Sequence, residues 1–210
     1  MPLLERGPEV SPSGLFELSA ADLTWTVAHT RSRQEKSLAR HLEPLGIGFY
    51  LPQREKRVRR SGRQFVSHLP LFPGYVFLRA DPAARSAVFR SGFVVRLLEV
   101  RDQDLLHEEL RQLRRLQESG ASMVPFAPLA AGDLVTVGDG PFRGCRGRVL
   151  REQSGLRLVV SISVLRQSVA VEFDRSCLTR VSGTGGGQMA PSAGPGSRRA
   201  ASGKEESAVA

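Results

Sequence analysis

Two short glycine-punctuated segments constrain this chain more than anything else in it. In Leu71-Phe72-Pro73-Gly74-Tyr75-Val76-Phe77-Leu78 a Pro-Gly turn breaks an apolar run and then launches a strand. Proline locks φ and glycine admits backbone angles that other residues avoid, so Phe72 and Tyr75 are held at a defined angle to one another. The second segment, Asp139-Gly140-Pro141-Phe142-Arg143-Gly144-Cys145-Arg146-Gly147, is a glycine-rich loop running into a strand. Their order, with a β-rich stretch after the second, implies two different folding units in succession.

Residues 1–22 carry Pro2, Pro8 and Pro12 without periodicity and are expected to be a disordered leader. Thr24-Trp25-Thr26-Val27-Ala28 alternates as a strand. Ser32-Arg33-Gln34-Glu35 has capping-box spacing, and Leu38, Leu42 and Leu45 follow on one helical face, with Gly46 as the stop. A strand begins at Phe49, and Arg54–Arg60 and Arg63–Leu69 flank Ser61-Gly62 as a hairpin. After the strand at Tyr75–Leu78, Asp81-Pro82 opens a short helix ending near Arg90. A strand over 93–100 and a helix over 102–117, with Leu106, Leu110 and Leu113 inward, complete the pattern. This order of strands and helices predicts an α+β unit over 23–117, its helices packed on an antiparallel or mixed sheet.

Residues 118–128, with Gly120, Pro125 and Pro128, are expected to be a linker. Short strands at 134–137, 147–150, 156–164 and 169–173 predict a small all-β barrel over 129–181. Beyond Ser182 the chain is Gly/Ser/Ala/Pro-rich and too poor in apolar residues to order itself, so 182–210 is expected to be a disordered tail.

The 210 residues carry 30 Lys and Arg against 21 Asp and Glu, a formal charge of +9, which favours a polyanionic partner or reflects a solvated basic surface. Two cysteines, Cys145 and Cys177, make neither a metal knuckle nor a disulfide framework and fit a reducing, cytoplasmic setting. No secretory signal or membrane-length apolar run is visible. The four histidines lack ligand spacing, and no nucleophile elbow, Walker loop or paired-carboxylate pattern appears. No catalysis, cofactor or metal is therefore expected.

Two binding candidates remain. Arg54, Lys56, Arg57, Arg59, Arg60 and Arg63 stand against Glu55, a local charge of six minus one, or +5. A hairpin presenting them can reach a phosphate backbone in a salt-dependent, sequence-independent way. Equally, the charges can protect an exposed sheet edge from aggregation. Phe72 and Tyr75, framed by Pro73 and Gly74, form either part of the core or, with Trp25, a docking pocket for a helix.

The Phe72-Pro73-Gly74-Tyr75-Val76-Phe77 segment resembles the signature of the NusG N-terminal (NGN) domain, and Trp25-Thr26-Val27 fits the opening strand of that domain. The loop with Gly140, Pro141, Phe142, Gly144 and Gly147 is similar to the KOW motif of the family's SH3-like C-terminal barrel. The resemblance runs from about Thr24 to Val181. It implies a monomeric transcription elongation factor whose NGN domain docks on the β′ clamp helices of RNA polymerase through Trp25, Phe72, Pro73, Gly74 and Tyr75. A factor favouring the closed clamp would suppress pausing by shifting the population toward it. The basic hairpin would lie near upstream or non-template DNA, and the KOW barrel would recruit a ribosomal protein or Rho.

Where general family members carry Ser-Ile-Phe-Gly-Arg, this chain has Ser161-Ile162-Ser163-Val164-Leu165-Arg166-Gln167-Ser168-Val169. That departure resembles the specialised RfaH-like antiterminators. A housekeeping pause and termination factor, and an RNA-binding or ribosome-assembly protein built on the KOW unit, are the alternatives.

Overall fold

A computed structural model describes residues 6–18, 23–60, 63–126, 133–138, 140–152 and 155–173. The strands are β1 (Val10–Ser11), β2 (Thr24–Thr30), β3 (Gly48–Tyr50), β4 (Gln53–Arg60), β5 (Arg63–Pro70), β6 (Tyr75–Ala80), β7 (Val94–Glu99), β8 (Met123–Phe126), β9 (Asp133–Thr136), β10 (Arg146–Glu152), β11 (Gly155–Ile162) and β12 (Gln167–Phe173). The α-helices are α1 (Glu35–Leu42), α2 (Pro82–Arg90) and α3 (Gln103–Glu118). The fold is α+β, with three sheets whose strand pairs are all antiparallel.

The first sheet has the order β1-β3-β6-β2-β7. Side chains alternate across it, so each strand feeds two cores. Ala28, Phe49, Val76 and Leu78 meet Leu38, Ala39 and Leu42 of α1 and Val88 of α2. On the other face Trp25, Val27, Tyr50 and Phe77 meet Leu106, Leu110 and Leu113 of α3. Asp81 and Asp102 cap α2 and α3, each carboxylate accepting a backbone N–H from three residues on.

The helix at 35–42 departs from expectation. Gln34 stands at the cap position, no side chain bonds there, and Leu45 is exposed beyond the last α-helical turn. The Glu35 carboxylate, expected to close a capping box with Ser32, instead reaches across the fold to Gly74.

The expected leader is also corrected where it is described. Val10 and Ser11 pair with Tyr50 and Phe49, Leu15 is fully buried, and Phe16 packs on Trp25 and Tyr50. Strand pairing with β3, the Gln53 amide on Gly7, Arg79 on the Leu15 and Leu18 carbonyls and the burial of Leu15 together hold this segment on the sheet. Residues 1–5 and 19–22 lie outside the described residues.

The second sheet has the order β8-β12-β11-β10-β9. Its strand β8 falls within the stretch expected to be a linker: Met123–Phe126 pair with β12 despite Pro125. Leu158, Val160, Ile162, Val169 and Val171 join the same core as the inner face of α3, so that helix is apolar toward both sheets. Cys177 and the expected tail lie outside the described residues.

Candidate functional site

The Pro-Gly turn is held from four directions. Leu71 N–H donates to the Pro52 carbonyl at 2.8 Å, and Tyr75 N–H donates to that of Phe72 at 3.2 Å. The Gly74 carbonyl accepts from Thr30 N–H at 2.8 Å, while Gly74 N–H donates to Glu35 Oε1 at 2.6 Å. Gly74 has φ +85°, where a side chain would be strained. Tyr75 is half-buried and stacks on His29 with ring centroids 5.2 Å apart; Pro73 is exposed.

The aromatic residues expected to form an open pocket are not arranged as one. Phe72 is only 2% exposed and meets Phe77 edge-on at 5.9 Å. Trp25 is 3% exposed. It pairs with Arg79 while Tyr75 pairs with His29, four residues further along β2 and so about 13 Å away at strand rise. The structure therefore joins Tyr75 to His29 and separates both from Trp25.

Trp25 sits in its own cluster. Its Nε1–H donates to His107 Nδ1 at 3.1 Å, the Phe16 ring lies 5.7 Å away and the Arg79 guanidinium 5.6 Å above it. Burial, then the charges of Arg79 and Arg111, push the His107 pKa down, which keeps the imidazole neutral and able to accept. Arg79 donates onward to the carbonyls of Leu15 and Leu18, tying the N-terminal segment over the tryptophan.

Strands β4 and β5 form a separate two-stranded sheet. Directly opposed residues share a face, so Arg54, Lys56 and Arg63 lie with Phe65, whereas Arg57 and Arg59 lie with Val66 and His68. Lys56, Arg57, Arg59 and Arg63 are exposed. The side chain of Arg60 and the Ser61-Gly62 turn lie outside the described residues.

In the glycine-rich loop Gly144 N–H donates to the Val137 carbonyl at 2.7 Å and Cys145 N–H to that of Phe142 at 2.9 Å. Phe142 and Cys145 are buried. A Cβ on Gly147 would lie 2.5 Å from the Val159 carbonyl oxygen, so close strand approach dictates the glycine. Gly140 and Pro141 begin a single 3-10 turn.

Residues that the sequence did not single out complete the arrangement. Three glutamines act as one-residue strands, each side-chain amide matching one residue's backbone N–H and C=O. Gln53 does so to Gly7, Gln103 to Trp25, and Gln112 of α3 to Arg146 of β10. Glu109 accepts from Ser163 N–H and Oγ, so α3 is clasped to the second sheet at two points. No sequence signal marks such glutamines, because each serves a backbone at least 34 residues away.

Among the described residues no group of three or more His, Cys, Asp or Glu side chains is placed to hold a metal ion. No helix among the described residues is long and apolar enough to cross a membrane. No curated protein matches the chain. Residues 23–114 match the family model described as Transcription termination factor nusG.

Proposed function

We propose that this chain, whose residues 23–114 match the NusG family model, is an elongation factor that binds RNA polymerase through that domain and suppresses pausing or termination. The observation carrying this reading is the over-determined Pro-Gly turn, which presents Pro73 and Tyr75 at a fixed angle beside His29. Such a rigid aromatic corner suits a groove or helix of the β′ clamp because little entropy is lost on docking. Phe72 supports that corner from the core instead of touching the partner, and Trp25, four residues along β2, lies outside it. The basic hairpin supplies a salt-dependent contact to upstream or non-template DNA.

The five-stranded second sheet and its glycine-rich loop form the KOW unit in this reading. Its altered segment favours a specialised antiterminator: Ser163, in place of the usual aromatic, is bonded to Glu109 of the first domain and so engaged within the chain. Contact with Rho or a ribosomal protein would have to compete with that clasp.

Titrating the full chain against a β′ clamp-helix fragment tests the reading, with Tyr75→Ala beside the wild type. Truncating an anchor aromatic is expected to cost about 2 kcal/mol of binding, with circular dichroism unchanged. A folded wild type that does not bind the fragment, or a Tyr75→Ala chain that binds as well, would sink the assignment.

A further inference from the structure

The first sheet closes its edges with care except along one strand. On one side β1 covers β3, and the Gln53 amide meets Gly7. Beyond the end of β7, the open backbone of Trp25 is closed by Gln103. Strand β7 itself pairs only with β2 among the described residues. Beside it runs a groove of about 750 Å³ against α2, lined in part by Thr26, Arg85, Phe89, Arg90, Leu97 and Glu99.

An unpaired edge offers a row of backbone donors and acceptors to any extended chain. The bulge at Val95, skipped between the Thr30–Val94 and His29–Arg96 pairs, restricts that offer to Arg96–Glu99. The surroundings suit an occupant. Phe89 is 52% and Val95 53% exposed, which leaves large apolar surface beside the edge. Arg85 and Arg90 line the groove with Glu99 as the one carboxylate among its lining residues, and register puts Arg96 on the opposite face of β7. The arginines of α3 have acidic partners in Glu108 and Glu118, whereas no carboxylate among the described residues pairs with Arg85, Arg90 or Arg96.

We propose that β7 and α2 form a docking site for an extended acidic segment of a partner protein, which adds as a further strand to β7. Its apolar side chains lie on Phe89 and Leu97, and its carboxylates meet arginines on both faces. A second copy of this chain is a poor occupant, because edge-to-edge pairing would bring the same cations together. The α2 side of the site lies on the opposite face of the sheet from Tyr75 of the polymerase contact, whereas Arg96 shares the Tyr75 face, on the far side of His29.

Panning a display library of random twelve-residue peptides on the full chain tests the proposal. Enriched peptides are expected to combine apolar residues on the α2 side with acidic residues on both strand faces. Their affinity should fall at least tenfold for the double variant Arg85→Glu/Arg90→Glu, whose melting temperature is compared with the wild type. Phe89→Ser provides a second, uncharged variant with the same expected loss. N-methylating alternate backbone nitrogens, in both possible registers, should abolish binding in one register while the side chains are unchanged. Enrichment of basic or helix-forming sequences, no enrichment at all, or full affinity of both methylated peptides would overturn it. A dimer that the charge-reversed variant strengthens would assign the edge to a second copy and overturn it as well.

Discussion

The basic hairpin and the Pro-Gly turn are consecutive in the chain, yet they are built on opposite principles. The turn at Leu71–Gly74 takes support from Pro52, Thr30, Glu35 and Phe77, all contributed by other elements. The hairpin is a two-stranded sheet on its own, with Lys36 donating to the His68 carbonyl near its base. In the turn, precise placement is purchased with buried side chains. In the hairpin, charge needs only to be presented, and a long-range Coulomb attraction tolerates loose geometry. The comparison teaches that neighbouring candidate sites can demand different evidence: stability reports on the first and salt dependence on the second.

Substitution of Phe72 by alanine would separate these principles most sharply. A side chain 2% exposed and packed on Phe77 is structural, so its loss should cost about 3–5 kcal/mol by urea unfolding. A folded, equally stable Phe72→Ala chain would show that Phe72 is a surface anchor, as an open pocket requires. That result would collapse the distinction between turn and hairpin.

A smaller effect is expected at Glu35. Its carboxylate is 2.6 Å from Gly74 N–H, and a charged hydrogen bond of this kind contributes about 1.5–3 kcal/mol. Glu35→Ala should lose that amount and leave the Gly74 amide faster in hydrogen exchange than neighbouring amides of β6. Exchange that is unchanged would mean that Thr30 and Pro52 alone define the turn.

These cases also mark what was legible in the sequence. The Asp81-Pro82 and Asp102 helix starts and the hairpin register follow from interactions a few residues long. The Pro-Gly pair marks the turn locally, although residues from other elements hold it in place. Burial was not legible at Phe72 or Trp25. It depends on what arrives from elsewhere: Phe16 and Arg79 over Trp25, and α3 against the sheet. Strands β1 and β8 were missed for the same reason. Val10–Ser11 and Met123–Phe126 have little alternation of their own and become strands because β3 and β12 present open edges to them. At Glu35 the local signal was misleading, since Ser32-x-x-Glu35 has capping spacing while the carboxylate has a better partner 39 residues away.

The hairpin should be the reverse of Phe72 in every respect. The triple variant Lys56→Glu/Arg57→Glu/Arg63→Glu changes exposed side chains, and its stability should stay within about 0.5 kcal/mol per substitution of the wild type. Its binding to single- or double-stranded DNA should instead weaken, and most at low salt. If each reversed cation had met a phosphate, the slope of log affinity against log salt should fall by about 2–3, from 0.7–0.9 per contact. A slope equal to that of the wild type would return these charges to the role of edge protection, because a cation that only guards a strand releases no counterions from DNA. The turn would then be the sole recognition element of the pair, and the chain's net charge of +9 would have to act elsewhere on its surface.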